Sequence, residues 1–431
     1  MLKYLFLIII GRFIKYLLCL DYKKIIIIIL GEGMKLRKDF IVLPTLRSGD
    51  DKSLEKHADW LELLFDLIFV AAISQIATNL SGNYSPITFL ESLPLFFAVW
   101  WGWCGHTFYL DRFGTDDIFN RVLTMAQMVV VAYLAINVKT ALTTTGAGFA
   151  ISYAVLRFIL VAEYIRVGRL LPDARPLTDR YSIGFGIAAL IWLSSAFVPP
   201  PWRFVLWGIA LLVDFLTPFT AGEIHIIFPP HPTHLPERFG LFTIIVIGEA
   251  IVSVVFAITN VGLNFYTGLI GLMALVISFT IWWGYFDEAG GAEERVQERG
   301  DQIAKYQLWL YSHFPLLLGI VGTAAGIRHV ISLPFGSDLS GSDTWILCIS
   351  LSIALLSLSL IFLSSFKWND CKSWLLLIFR IPYYLVIALV ILTGFLGSLI
   401  SGFMILIILT ILCIVKVLIS LREIPDDICS L

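Results

Sequence analysis

From Asp59 onward the chain alternates apolar stretches of membrane-spanning length with short polar or Pro- and Gly-bearing breaks, which predicts helices cut to the thickness of a bilayer. Twelve such windows are read, at 60–80, 87–109, 119–142, 147–167, 182–198 and 203–221, then at 239–259, 266–286, 306–331, 344–366, 373–393 and 396–420. The fold class is therefore all-α: a polytopic transmembrane bundle of about twelve helices. Residues 1–33 fit this pattern poorly, because Lys15, Lys23 and Lys24 interrupt the isoleucine-rich run before a clean span forms. The stretch is read as translated leader ahead of a start at Met34. The preceding Gly-Glu-Gly is encodable by a purine-rich stretch of ribosome-binding type; an interfacial amphipathic anchor is the alternative.

Charge in the breaks sets the expected orientation. Lys35, Arg37, Lys38, Arg47, Lys52 and Lys56 precede the first window, and every second connection continues the bias with Arg112; Arg166, Arg169, Arg175 and Arg180; Arg238; Arg295, Arg299 and Lys305; and Lys367 and Lys372. Arg203 is the exception on the other side. The positive-inside rule then places both termini in the cytoplasm of a multi-pass plasma (inner) membrane protein, which an even number of spans satisfies.

An internal correspondence divides the chain further. Trp100-Trp101-Gly102-Trp103 and Trp282-Trp283-Gly284-Tyr285 lie 182 residues apart, followed by Asp111 and Asp287, while His57 answers His234 at an offset of 177 and Phe65 answers Phe242. This predicts an N-terminal extension at 1–56 and two parallel six-helix halves at 57–230 and 231–424, with a site expected where repeats meet. Interfacial belt tryptophans are the plainer explanation of the same residues.

Composition agrees: 58% of the 431 residues are hydrophobic and 14% charged, more apolar than a soluble domain keeps inside. The net charge of −2 says nothing of partners, and the lack of a long basic run sets nucleic-acid binding aside. Cys19, Cys104, Cys348, Cys371, Cys413 and Cys429 are scattered without a CxxC pair and read as plain thiols.

Ionisable residues inside spans carry the candidate chemistry, since charge in hydrocarbon must face protein or water. Arg157, Asp214 and Glu249 fall near mid-membrane; Glu62, Asp66, His106, Glu163, His313 and Arg380 fall in the cytoplasmic half. Glu62 and Asp66 share one face of the first helix, Arg157 is a counter-charge for Asp214 or Glu249, and Glu163 and Arg166 are spaced for a local pair. Arg238 and Asp287 are secondary candidates, and a bundle clamp explains the same charges as well as a pathway does. His225, His231 and His234 stand with Glu223 and Glu237 in a Pro-rich connection whose ligand types permit zinc. Its spacing lacks HExxH, and Pro229, Pro230, Pro232 and Pro236 read first as a rigid turn. Gly184-Phe-Gly186-Ile-Ala-Ala189 spells a dinucleotide fingerprint inside a predicted span, and no P-loop occurs, so no cofactor is expected. Gly322-Thr-Ala-Ala-Gly326 reads as a close helix contact. Asn79-Leu-Ser81 and Asn83-Tyr-Ser85 are sequons with meaning only in a eukaryotic secretory route.

WLELLFDLIFV at 60–70, WWGW at 100–103, Arg157 with EYIR at 163–166, HLPERFGLFTIIVIGEAI at 234–251 and WWGYFD at 282–287 together resemble the bacterial low-temperature-requirement A family of membrane proteins. The resemblance runs from about residue 57 to residue 420. It implies a role in growth at low temperature without an established molecular activity. Glu62, Asp66, Arg238 and Glu249 match the family's recurrent polar positions, and no role comes with them. The leading expectation is a secondary transporter of a small solute or ion, with Glu249 and Asp66 as coupling carboxylates, Asp214 a second candidate and Arg157 a counter-charge or anion-binding group. An intramembrane enzyme acting on lipid or a lipid-linked group through Glu62, Asp66, His106, Asp111, Glu163 and His313 is the second expectation, and a non-catalytic sensor or scaffold the third.

Overall fold

The computed structural model describes residues 58–114, 117–222, 224–293, 301–365 and 380–421. Outside these lie the extension with its Met34 start, His57, Glu223, Arg295, Arg299, Lys367, Lys372, Cys19, Cys371 and Cys429.

The architecture is all-α. Among the described residues twelve helices of 13 or more residues follow in order: α1 Trp60–Gly82, α2 Pro86–Phe113, α3 Ile118–Val138, α4 Gly146–Leu170, α5 Arg175–Ser195, α6 Trp202–Leu216, α7 His234–Val261, α8 Phe265–Trp283, α9 Asp301–Ser332, α10 Gly341–Ser364, α11 Ile381–Thr393 and α12 Gly402–Ser420. Ten are long and apolar enough to cross a membrane, as expected of a multi-pass membrane protein. The other two have local reasons. α5 begins seven residues before its predicted start and carries Arg175, Asp179 and Arg180 in its first two turns, while α11 has 13 residues and continues into a 3₁₀ turn at Gly394–Leu396. Residues 373–379 of its predicted span lie outside the described set. Among the described residues the β content is one isolated bridge, Asp338 to Ser401.

Caps fix several starts. Asp59 and Glu62 close a capping box on α1, Asn264 and Thr267 one on α8, and the Ser340 and Ser401 side chains cap α10 and α12. α7 starts five residues before its predicted boundary because Pro236 falls in the first turn, where a missing N–H costs nothing. His234 and Arg238 are thereby carried into the helix.

The described chain forms two compact units. The first holds Trp101–Leu134 and Ala141–His231, the second the described residues before Trp101, Ala135–Thr140 and those from Pro232 onward. In the first, α4 packs along α5 and α5 along α6, around Tyr109, Phe113, Tyr164, Tyr181 and Phe185. In the second, α9 packs along α10, α7 and α1, and α8 along α12. Between apolar helices in lipid, close van der Waals fit rather than water exclusion holds the contact. The α9–α10 seam shows it: Cβ atoms added at Gly319 would sit 2.6 Å from the Ala354 nitrogen and the Ser350 carbonyl oxygen, and one at Gly322 would strike the Ser350 hydroxyl. Gly319→Val is expected to lower the thermal midpoint in detergent by several degrees, an overpacking cost of about 1–3 kcal/mol. Gly248→Ala, where an added Cβ meets nothing within 4 Å, should leave it unchanged, and equal midpoints would remove the seam from the account of stability.

The α3 helix inverts the amphipathicity of a soluble helix. Val122, Met125, Val129 and Tyr133 are exposed, whereas Asp117 just before it and Asn120, Thr124 and Gln127 on it are buried. An apolar solvent outside and a polar interior produce that pattern.

Candidate functional site

Buried polar side chains gather at distinct places in each unit. In the second unit, two pairs four residues apart mate across α1 and α7. Glu62 and Asp66 face His234 and Arg238, each at least 95% buried. Arg238 Nη2 donates to Asp66 Oδ1 at 2.5 Å, Arg238 Nη1 lies 3.0 Å from Glu62 Oε2 and His234 Nε2 3.0 Å from the same oxygen. Glu62 also accepts from the Asp59 amide at 3.1 Å, so the box that starts α1 also seats its first acid.

The first unit holds two such places. At the deeper one, Arg157 Nε donates to Asp214 Oδ2 at 2.8 Å, and its Nη2 donates to the Tyr153 hydroxyl at 2.8 Å and the Trp101 carbonyl at 3.0 Å. Tyr153 in turn donates to Asp214 at 3.0 Å. The guanidinium fits because residue 105 is glycine: an added Cβ there would collide with Arg157 Nη1. Nearer the arginine-rich end, Gln127 Nε2 donates to both Glu163 carboxylate oxygens at 3.0 Å and approaches His106 Nδ1 at 2.8 Å. His106 Nδ1 is 3.3 Å from Glu163 Oε2, and its Nε2 is 3.4 Å from the Thr124 hydroxyl. Thr124 donates to the Asn120 carbonyl at 2.8 Å, which leaves its oxygen able to accept from His106 Nε2–H in the tautomer whose Nδ1 is the acceptor. Glu163 and His106 thus lie within hydrogen-bond reach of one another and of the Gln127 carboxamide. Arg166, spaced for a local pair with Glu163, reaches Asp117 at 2.6 Å and lies over the Phe119 ring at 4.3 Å.

The remaining candidates occupy other settings. Glu249 is half-buried on α7, with Arg328 of α9 in its electrostatic neighbourhood. His313 lies 2.8 Å from the Trp309 carbonyl through Nδ1 and 2.9 Å from the Tyr285 hydroxyl through Nε2, a closed structural arrangement. A π-helical turn at Gly284–Glu288 displaces the register by one residue, so Asp287 is exposed and Glu288 turns inward to Lys416. Arg380, at the cap of α11, lies near Glu288 and over the Phe362 ring. His231 donates its backbone N–H to Asp111 at 2.7 Å, and Arg112 reaches the Phe228 carbonyl at 3.1 Å, which anchors the Pro-rich connection. Among the described residues no group of three or more His, Cys, Asp or Glu is arranged to hold a metal; the His225 side chain and Glu223 lie outside that set.

Sequence reading passes over Gln127, Thr124, Asn120, Asp117, Tyr153, Glu288 and Lys416. For the first four a signal exists: polar residues spaced 3, 4 and 3 apart on one face of a largely apolar helix.

A family model described as bacterial low temperature requirement A protein matches residues 57–418. The uncharacterized protein RA0937 of Rhizobium meliloti (strain 1021) is 27% identical over 316 residues, 65% of this chain and 74% of that protein.

Proposed function

The chain belongs to the bacterial low temperature requirement A family, and from that premise we propose that it is a secondary transporter that moves a small solute or ion against proton flow, with Glu163 and His106 as the proton-carrying pair. One observation carries this reading: Glu163, fully buried in α4, takes its hydrogen bonds from a carboxamide and an imidazole. Asp66 and Asp214 instead are each tied to an arginine. Such an ion pair exchanges a proton only by losing the contact between its partners, which suits a clamp between helices. An acid beside an imidazole passes its proton to that ring within hydrogen-bond reach. The coupling role expected of Asp66 and Glu249 passes on this reading to Glu163. By the positive-inside pattern, both termini and the Glu163 end of the first unit face the cytoplasm.

The enzyme reading draws less support. Within the second unit Glu62 and Asp66 join His234 and Arg238 while His313 bonds Tyr285 and Trp309; within the first, Asp111 holds a backbone amide rather than joining His106 and Glu163.

Proteoliposomes loaded with a pH-sensitive dye test the proposal. Under an imposed membrane potential, amino acids, sugars, organic acids, Na⁺ and K⁺ are added in turn. One of these classes is expected to trigger proton movement through the unmodified protein, and Glu163→Gln, nearly isosteric, is expected to lower that rate at least tenfold while eluting as the same folded species. Proton movement with none of them, or an undiminished rate in Glu163→Gln, overturns the assignment.

A further inference from the structure

Resting on the reading of Glu163 as the proton carrier, we infer that the buried face of α3 is a water-bearing half-channel between the arginine-rich end of the first unit and Glu163. Its ligand class is water and the protons it conducts. Asp117, Asn120, Thr124 and Gln127 lie on one helical line and are each at least 92% buried. Over ten residues the line rises about 15 Å, roughly half a hydrocarbon core. Beyond Gln127 the same line continues as Val131, Leu134 and Val138, all buried and apolar. The polar stretch therefore ends at the level where Gln127 reaches Glu163 and His106.

The partners from neighbouring elements fit such a lane. α2 contributes His106, whose ring stacks on Tyr109, and α4 contributes Glu163 and Arg166. At the mouth the Arg166–Asp117 pair joins α4 to the start of α3, and Asp117 also accepts from the Asn120 amide at 3.0 Å. Polar side chains also bond helices to one another in lipid; what points to a lane is that these four stand in one line that stops at the level of Glu163 and His106. Their grading from a charged mouth to an uncharged carboxamide suits entry of water and its arrest at Glu163.

Two measurements test the lane. With native cysteines removed, Asn120→Cys, Thr124→Cys, Val131→Cys and Leu134→Cys are exposed, from the arginine-rich side, to a membrane-impermeant cationic methanethiosulfonate. Labelling at 120 and 124 is expected at least tenfold faster than at 131 and 134. In the unmodified protein, radiolytic hydroxyl labelling is expected to oxidise His106 and spare His313, though both are at least 99% buried, because only His106 adjoins the lane. Equal labelling of all four cysteines with equal protection of the two histidines overturns the half-channel. A dry lane combined with a proton-dead Glu163→Gln removes this inference alone. A wet lane with Glu163→Gln fully active keeps the water path and removes the coupling assignment instead.

Discussion

Arg238→Met is expected to be the most destabilising single substitution in the second unit, at about 3–5 kcal/mol or more. Arg238 is fully buried and is shared by two carboxylates, Asp66 at 2.5 Å and Glu62 at 3.0 Å. Methionine fills much of the same volume, so the loss is electrostatic: two buried acids lose their shared guanidinium, while Glu62 keeps its contact with His234. They must take up protons or draw in water. The expected readout is loss of the monodisperse detergent-solubilised species, or a thermal midpoint lower by ten degrees or more. Neutralising the acids separates charge from packing. Glu62→Gln/Asp66→Asn added to Arg238→Met should recover most of the loss, because the triple variant leaves no uncompensated charge. Asp66→Asn alone should cost less than Arg238→Met, since Arg238 retains Glu62. A triple variant no more stable than Arg238→Met would mean that shape, not charge, holds α1 to α7.

The helices were legible because a bilayer imposes length and composition on every span. Eleven of the twelve predicted windows fall on a helix within a few residues at one end or both, and α11 overlaps the last part of its own. Two of the misplaced starts share a cause. Pro176 and Pro236 look like turn residues in sequence and sit in the first turns of α5 and α7, where proline belongs as readily as in a loop. The partners of the buried charges were less legible. Periodicity places Arg157 and Asp214 each on a helix face, but nothing local tells that residues 57 apart meet, or that Gly105 makes the room for it. Asp287 and Glu288 show the limit most sharply, since a single π-helical turn decides which of two adjacent acids points inward. The polar line on α3 is legible in spacing but not in formal charge, since Asn120, Thr124 and Gln127 carry none.

Arg157→Leu alone is expected to cost about 3–5 kcal/mol, and Arg157→Leu/Asp214→Leu to recover most of it. Both partners are fully buried, so the single change strands a carboxylate whose remaining partner is the Tyr153 hydroxyl, whereas the double change removes the charge from both sides. Gly105→Ala should act in the same direction without altering any charge, because its Cβ displaces Arg157 Nη1 and with it the contacts to Asp214 and the Trp101 carbonyl. These variants also divide the roles within the first unit. If Arg157 and Asp214 are a clamp, the folded double variant keeps solute-driven proton movement within about threefold of the unmodified protein, a difference of less than 1 kcal/mol. The Glu163→Gln variant, more stable than Arg157→Leu, loses that movement. Two substitutions within one unit then separate in opposite senses, stability lost with activity retained once charge is balanced, and activity lost with stability retained. A folded Arg157→Leu/Asp214→Leu protein that moves no protons would instead place the ion pair on the pathway itself.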